Sequence, residues 1–222
     1  MEELTEELTA KRTEDIMQDC IIPNYLIAPK DRQWRGRQGD PYMTTNLYPV
    51  YAGIVKEIRP KRLLEIGVRY GYSMAVALDA WPGIEAVVGI DMFSGGGWGG
   101  TDGAYHIACA KLRALRRTRW PNLRSLRLEN YDTQQVSDLS HLGEFDLIYV
   151  DGDHSPEGCL HDLGLTVPLL AAGGSLVVDD MDHCGLRQTA DEFAAAAGLS
   201  ARYYPDESNR GRLVMSDAGA TK

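Results

Sequence analysis

Five apolar runs along this chain each close on an acid. "KRLLEIG" carries Glu65, "EAVVGID" ends in Asp91, and "LRSLRLEN" ends in Glu129 and Asn130. "FDLIYVDG" ends in Asp151, and "AAGGSLVVDD" ends in Asp179 and Asp180. Between them stand segments with helical spacing. Strands with no polar alternation must be covered on both faces, so strands that alternate with helices predict a parallel sheet between two helical layers. Ligands of such sheets bind beyond the carboxyl ends of the strands. An acid at every one of those ends therefore predicts a site along that edge.

The helical segments are "LYPVYAGIVKEI", "GYSMAVALDAW", "AYHIACAKLRALRR", a short one near "DTQQVSDLS", "SPEGCLHDLGLTVPLL" and "LRQTADEFAAAA". The last two strands, "LSARYY" and "GRLVMSD", are joined only by "PDESNR". That link is too short for a crossover, so it predicts an antiparallel hairpin. The expected fold is α/β: a Rossmann-like, doubly wound, mostly parallel seven-stranded sheet with a C-terminal antiparallel hairpin and an N-terminal helical and loop arm. Residues 1–48 form the arm, with Leu4, Leu8 and Ile16 on one side of a helix and then a stretch rich in Pro, Gly and charge. The arm is expected to cap an acceptor pocket or to contact another subunit of a homo-oligomer. Residues 49–222 form the main domain.

With 222 residues, 44% of them hydrophobic, the chain can bury a full core. A net charge of −9 repels phosphate backbones, which argues against nucleic acid, and the basic "KLRALRRTRW" reads as the solvated face of a helix. Cys20, Cys109, Cys159 and Cys184 form no Cys-x-x-Cys pair, which argues against a zinc knuckle and suits a reducing compartment. The acidic N-terminus has no apolar leader, and no run approaches the roughly 18 apolar residues of a membrane span. The expectation is a cytoplasmic protein without a membrane partner.

The first strand-to-helix turn, "EIGVRYGYS", lacks the Gly-x-Gly-x-x-Gly of dinucleotide folds. Gly67 permits a tight turn and Gly71 a close helix. Glu65 would repel a pyrophosphate but can hold a cationic ligand group. Asp91 suits ribose hydroxyls or else caps the next helix. "SGGGWGG", residues 94–100, is a flap with Trp98 as an apolar contact, a phosphate nest or a linker. Asp151, Asp179 and Asp180 offer hard oxygen ligands for Mg²⁺, Mn²⁺ or Ca²⁺, a cation that would relieve their mutual repulsion. His154, just beyond Asp151, is placed for general-base work or is structural. Asp153 caps the following helix or faces solvent.

With these residues in place, the chain resembles the class I S-adenosylmethionine-dependent methyltransferases. It is most similar to the metal-dependent macrocin and mycinamicin-type O-methyltransferases of antibiotic and sugar tailoring. The resemblance spans residues 46–216 and is carried by "LLEIGVRYGYS", "VVGIDMF", "FDLIYVDGDHSPEG" and "PLLAAGGSLVVDD". It implies a cofactor, S-adenosylmethionine, lined by Glu65, Gly67, Gly71, Ser73, Asp91, Met92, Asp132 and Asp151. It implies Mg²⁺ (or Mn²⁺) on Asp151, Asp179 and Asp180, His154 as base, and a small hydroxylated acceptor. The chain departs from the family at "GDPYMTTNLYPVY", where an Asp-Lys and a His are usual, and at Pro156. His161 and His183 are expected near the edge of the site. The alternatives are an N-methyltransferase, a metal-dependent hydrolase or phosphoesterase, and a cofactor-binding partner without turnover.

Overall fold

The computed structural model describes residues 48–93, 104–182, 185–205 and 211–217. The expected arm helix with Leu4, Leu8 and Ile16, the glycine-rich 94–100 loop and His183 lie outside the described residues. In chain order the elements are α1 (Pro49–Ile58), β1 (Arg62–Ile66), α2 (Tyr72–Ala80), β2 (Ala86–Asp91), α3 (Ala104–Arg119) and β3 (Ser125–Asn130). Then follow β4 (Phe145–Val150), α4 (Pro156–Thr166), β5 (Leu170–Val178), α5 (Arg187–Ala196), β6 (Leu199–Tyr204) and β7 (Arg212–Asp217).

The seven strands form one sheet in the order β3-β2-β1-β4-β5-β7-β6. All neighbours from β3 to β5 are parallel, whereas β7 runs antiparallel to both β5 and β6. The doubly wound sheet and its C-terminal hairpin are thus as the sequence predicts. Two local expectations are corrected. The short helix near "DTQQVSDLS" is two 3₁₀ turns, Thr133–Gln135 and Ser140–Leu142. The helix after Ser155 ends at Thr166, and a 3₁₀ turn with Pro168 in it leads into β5. Proline in that turn cannot continue an α-helix.

Alternate residues of the buried strands enter two different cores. Leu63, Leu147, Tyr149 and Val177 pack with Tyr51 and Val55 of α1 and with α2 and α3. Leu64, Ile66, Ile148, Val150, Leu176, Val178 and Leu213 pack with α4 and α5. α1 begins with Pro at its first turn and ends with Arg59 in the left-handed region, the usual asymmetry of helix ends. No helix of the described residues is long and apolar enough to cross a membrane.

The chain runs from β1 to β2 on one side of the sheet, and β4 lies on the other, so the crevice opens at the end of β1. There the strand ends are tied together: Gly67 N–H donates to the Ile90 carbonyl at 2.9 Å, and Asp151 N–H to that of Ile66 at 2.9 Å. Gly67 has a φ of +87°, and a Cβ there would lie 1.9 Å from the Asp151 carbonyl oxygen. Both the dihedral and the space require glycine. Gly67→Ala is expected to cost more than about 2 kcal/mol, read as a lower urea midpoint at unchanged slope.

Candidate active site

Glu65 lies within β1, fully buried, and its Oε1 accepts the Ser73 hydroxyl hydrogen at 2.6 Å. Ser73 stands in the first turn of α2, which Gly71 precedes in the left-handed conformation. A Cβ on Gly71 would meet Leu112 of α3 at 3.0 Å. The turn therefore holds a buried acid at the crevice floor and brings α2 down close to it.

Asp91 ends β2 with both carboxylate oxygens fixed by backbone. Oδ2 accepts from Arg69 N–H at 2.6 Å and Oδ1 from Phe93 N–H at 2.5 Å. Burial raises its pKa, and the two N–H donors oppose the rise. Each oxygen keeps a second lone pair for a ligand hydroxyl. Met92, beside it, is 43% exposed. Asp132 caps the 3₁₀ turn after β3, accepting from Gln134 N–H at 3.0 Å.

On the far side of the crevice the loop after β4 is tightly folded. Asp153 Oδ1 accepts from Ser155 N–H at 2.7 Å, and the Ser155 hydroxyl accepts from Gly158 N–H at 3.0 Å. Ser155 is thus the cap of α4, in place of Asp153. Beneath the loop, Asp162 is buried. It accepts from the Gln134 side-chain amide at 3.0 Å, and Thr133 and the Asp153 N–H bond it as well. Its Oδ2 occupies the space that a Cβ on Gly152 would need, 2.4 Å away. One carboxylate thereby ties the turn after β3 to the loop after β4. Burial raises its pKa, and the Thr133 and Asp153 donors oppose the rise. His161, on the same helix, sits 3.0 Å from the Thr133 carbonyl and 3.1 Å from that of Val136, so it braces the turn.

The loop delivers His154 to the acids. Its Nε2 is 3.1 Å from Asp151 Oδ1 and 3.7 Å from Asp180 Oδ2. Ligand atoms of Asp151, His154 and Asp180 all lie within 4.8 Å of one another, a spacing that suits one cation. Asp180 reaches this position with a φ of 56°, a left-handed conformation strained for an aspartate. The hydrogen bond that Asp151 accepts holds the imidazole above its usual pKa, with the charges of Asp151, Asp180 and Asp179 adding to it while burial opposes.

Asp179, expected beside Asp151 and Asp180, is not part of this group. Its side chain is fully buried against Arg212 of β7: Nε lies 3.1 Å from Oδ1, and Nη2 donates to Oδ2 at 3.2 Å. The Tyr149 hydroxyl also donates to Oδ2, and the Asp180 N–H donates to Oδ1 at 2.8 Å. The register of β5 and β7 places Leu213 opposite Val178, and so Arg212 opposite Asp179. Arg212 and Tyr149 escaped sequence reading. The available signal was an arginine opening an otherwise apolar strand, "GRLVMSD".

Removing one member of a buried ion pair leaves the other charge uncompensated, at a cost of about 3–5 kcal/mol. Arg212→Met is expected to destabilise the fold by about that amount. The double variant Arg212→Met/Asp179→Asn should recover most of the loss in urea unfolding. Additive losses would show that the pair does not act as a unit.

Solved structures share this fold. An O-methyltransferase from Bacillus cereus, solved with SAH, is 15% identical with a TM-score of 0.55, covering 95% of this chain and 91% of its own. TomG from Streptomyces achromogenes, an O-methyltransferase of tomaymycin synthesis solved with SAM, is 15% identical with a TM-score of 0.53, covering 89% and 92%. CalS11, a calicheamicin methyltransferase, is 16% identical with a TM-score of 0.55, covering 94% and 92%. No curated protein sequence matches the chain. The methyltransferase-domain family matches residues 64–181, more than half of the chain and the whole stretch from Glu65 to Asp180. That match sets aside the hydrolase alternative: the chain belongs to the methyltransferase-domain family, and it is a methyltransferase.

Proposed function

We propose that this methyltransferase moves a methyl group from S-adenosylmethionine to a hydroxyl of a small natural product or its sugar, with a divalent cation at the site. One observation carries the reading. Asp151, His154 and Asp180 converge at the ends of β4 and β5, on the same sheet edge as Glu65 and Asp91. A cation site and an organic cofactor site of the right chemistry therefore share one crevice.

The side chains fit both groups. The buried carboxylate of Glu65 suits the cofactor's ammonium, and the backbone-fixed carboxylate of Asp91 suits ribose hydroxyls. Gly67, Gly71, Ser73, Met92, Asp132 and Asp151 complete the proposed cofactor lining. Asp151 and Asp180 suit Mg²⁺ or Mn²⁺, and Mg²⁺ commonly keeps waters and uses only one or two carboxylates. Commitment of Asp179 to Arg212 is compatible with that count. S-adenosylmethionine supplies an electrophilic methyl when bound, and the cation supplies Lewis acidity toward acceptor oxygens. His154 takes the acceptor's hydroxyl proton at Nδ1, the basic nitrogen when Nε2 donates to Asp151, whose carboxylate orients the ring. TomG is involved in tomaymycin synthesis and CalS11 is a calicheamicin methyltransferase, which supports a natural-product acceptor.

Calorimetric titration of S-adenosylhomocysteine, with Mg²⁺ and again with EDTA, tests the cofactor. Micromolar binding is expected in both buffers, and its absence from folded protein in both would overturn the reading. With an acceptor in hand, EDTA is expected to abolish turnover. Turnover that persists would favour a nitrogen acceptor. His154→Ala is expected to lower kcat by about 10²–10⁴-fold with Mg²⁺ affinity retained. If instead cation binding disappears in that variant, the imidazole is a ligand and the base lies elsewhere.

A further inference from the structure

Tyr51 of α1 is fully buried, and its ring stacks on Tyr149 with centroids 4.1 Å apart. Its hydroxyl is buried too and has no hydrogen-bond partner among the described residues. That is an anomaly. A phenylalanine would give the same stack without burying an unsatisfied donor and acceptor, which costs stability. The neighbouring Tyr149 shows the ordinary solution, for its hydroxyl is taken up by Asp179.

The position of Tyr51 says what the hydroxyl is for. Tyr149 pairs directly with Glu65 across β4 and β1, so both side chains stand on the face that α1 covers. Tyr51 stacks on Tyr149, the residue that pairs with Glu65. Burial does most to raise the pKa of its hydroxyl, and among the charges that act on it Glu65 acts most strongly, followed by Arg212, Asp179 and Asp151. Three of the four are acids, so the hydroxyl sits in a region built to receive a cation. A phenol oxygen there is an acceptor in search of an N–H donor.

We infer that Tyr51 is a cofactor-positioning residue, whose buried hydroxyl, without a partner among the described residues, accepts a hydrogen bond from the ammonium of the methyl donor's amino-acid moiety, beside Glu65. The inference rests on the reading of the crevice as a site for S-adenosylmethionine. Binding then gives that hydroxyl a partner. Tyr51 and Glu65 would grip one end of the cofactor, and Asp91 would hold the ribose.

Tyr51→Phe separates this role from packing, because it deletes the oxygen and keeps the ring. Two probes are titrated calorimetrically: S-adenosylhomocysteine, which has the ammonium, and 5′-methylthioadenosine, which lacks the whole amino-acid moiety. In the variant, S-adenosylhomocysteine affinity is expected to fall about tenfold, the worth of one hydrogen bond to a charged group. Methylthioadenosine affinity should be unchanged, and the ligand-free Tm unchanged or higher. Loss of neither affinity, or equal loss of both, would overturn the inference and leave Tyr51 a packing residue. Failure of the unaltered protein to bind S-adenosylhomocysteine is a separate result. It would sink the cofactor reading, and this inference with it.

Discussion

The ion pair between Asp179 and Arg212 is the constraint around which the site is arranged. Four acids from β1, β4 and β5 meet at the crevice, and so much negative charge in a low dielectric repels itself strongly. The chain answers it in two ways. A fully buried guanidinium neutralises Asp179, and the imidazole of His154 faces Asp151 and Asp180. The first answer is permanent and internal. The second is half-exposed and can be exchanged for a ligand cation. Fixed charge lies below and adaptable charge above, which separates what holds the fold from what can do chemistry.

Rigid support follows the same division. Asp162 pins the turn after β3 and the loop after β4 from beneath, while Ser155 and Asp153 close that loop on itself. Asp91 is held by two backbone N–H groups. Groups offered to a ligand thus have their rotamers set by bonds that no ligand has to make. Such preorganisation lowers the entropy lost on binding and the reorganisation needed in the reaction.

Much of this was legible in the sequence, for a physical reason. Unbroken apolar runs followed by acids report burial on both faces and the carboxyl edge in one signal, so β1 to β5 and their site were readable. The C-terminal hairpin was readable from a link too short for anything else. Partners of individual carboxylates were not. Asp179 and Asp180 are adjacent in sequence, yet one turns inward to Arg212 and the other outward to His154. Their fates are decided by the register of β5 with β7 and by the left-handed backbone at Asp180. Nothing local encodes either. Asp162 was overlooked because a lone acid on a helix looks like a solvated one, and only the tertiary fold brings Gly152 and Gln134 over it. Asp153 reads as a helix cap or a solvent-facing acid, yet Ser155 stands two positions nearer to Pro156 and is the cap.

The insertion of β7 between β5 and β6 has a consequence for biosynthesis. The sheet's last gap is filled by a strand at the very end of the described chain, and that strand carries the counter-ion of Asp179. During translation, Asp179 leaves the ribosome some thirty residues ahead of Arg212. Until β7 slots into place, the second core lacks Leu213 and Met215, and Asp179 lacks its neutralising charge. The crevice is therefore sealed last, and a nascent chain cut short before β7 would have strands and helices but no finished site.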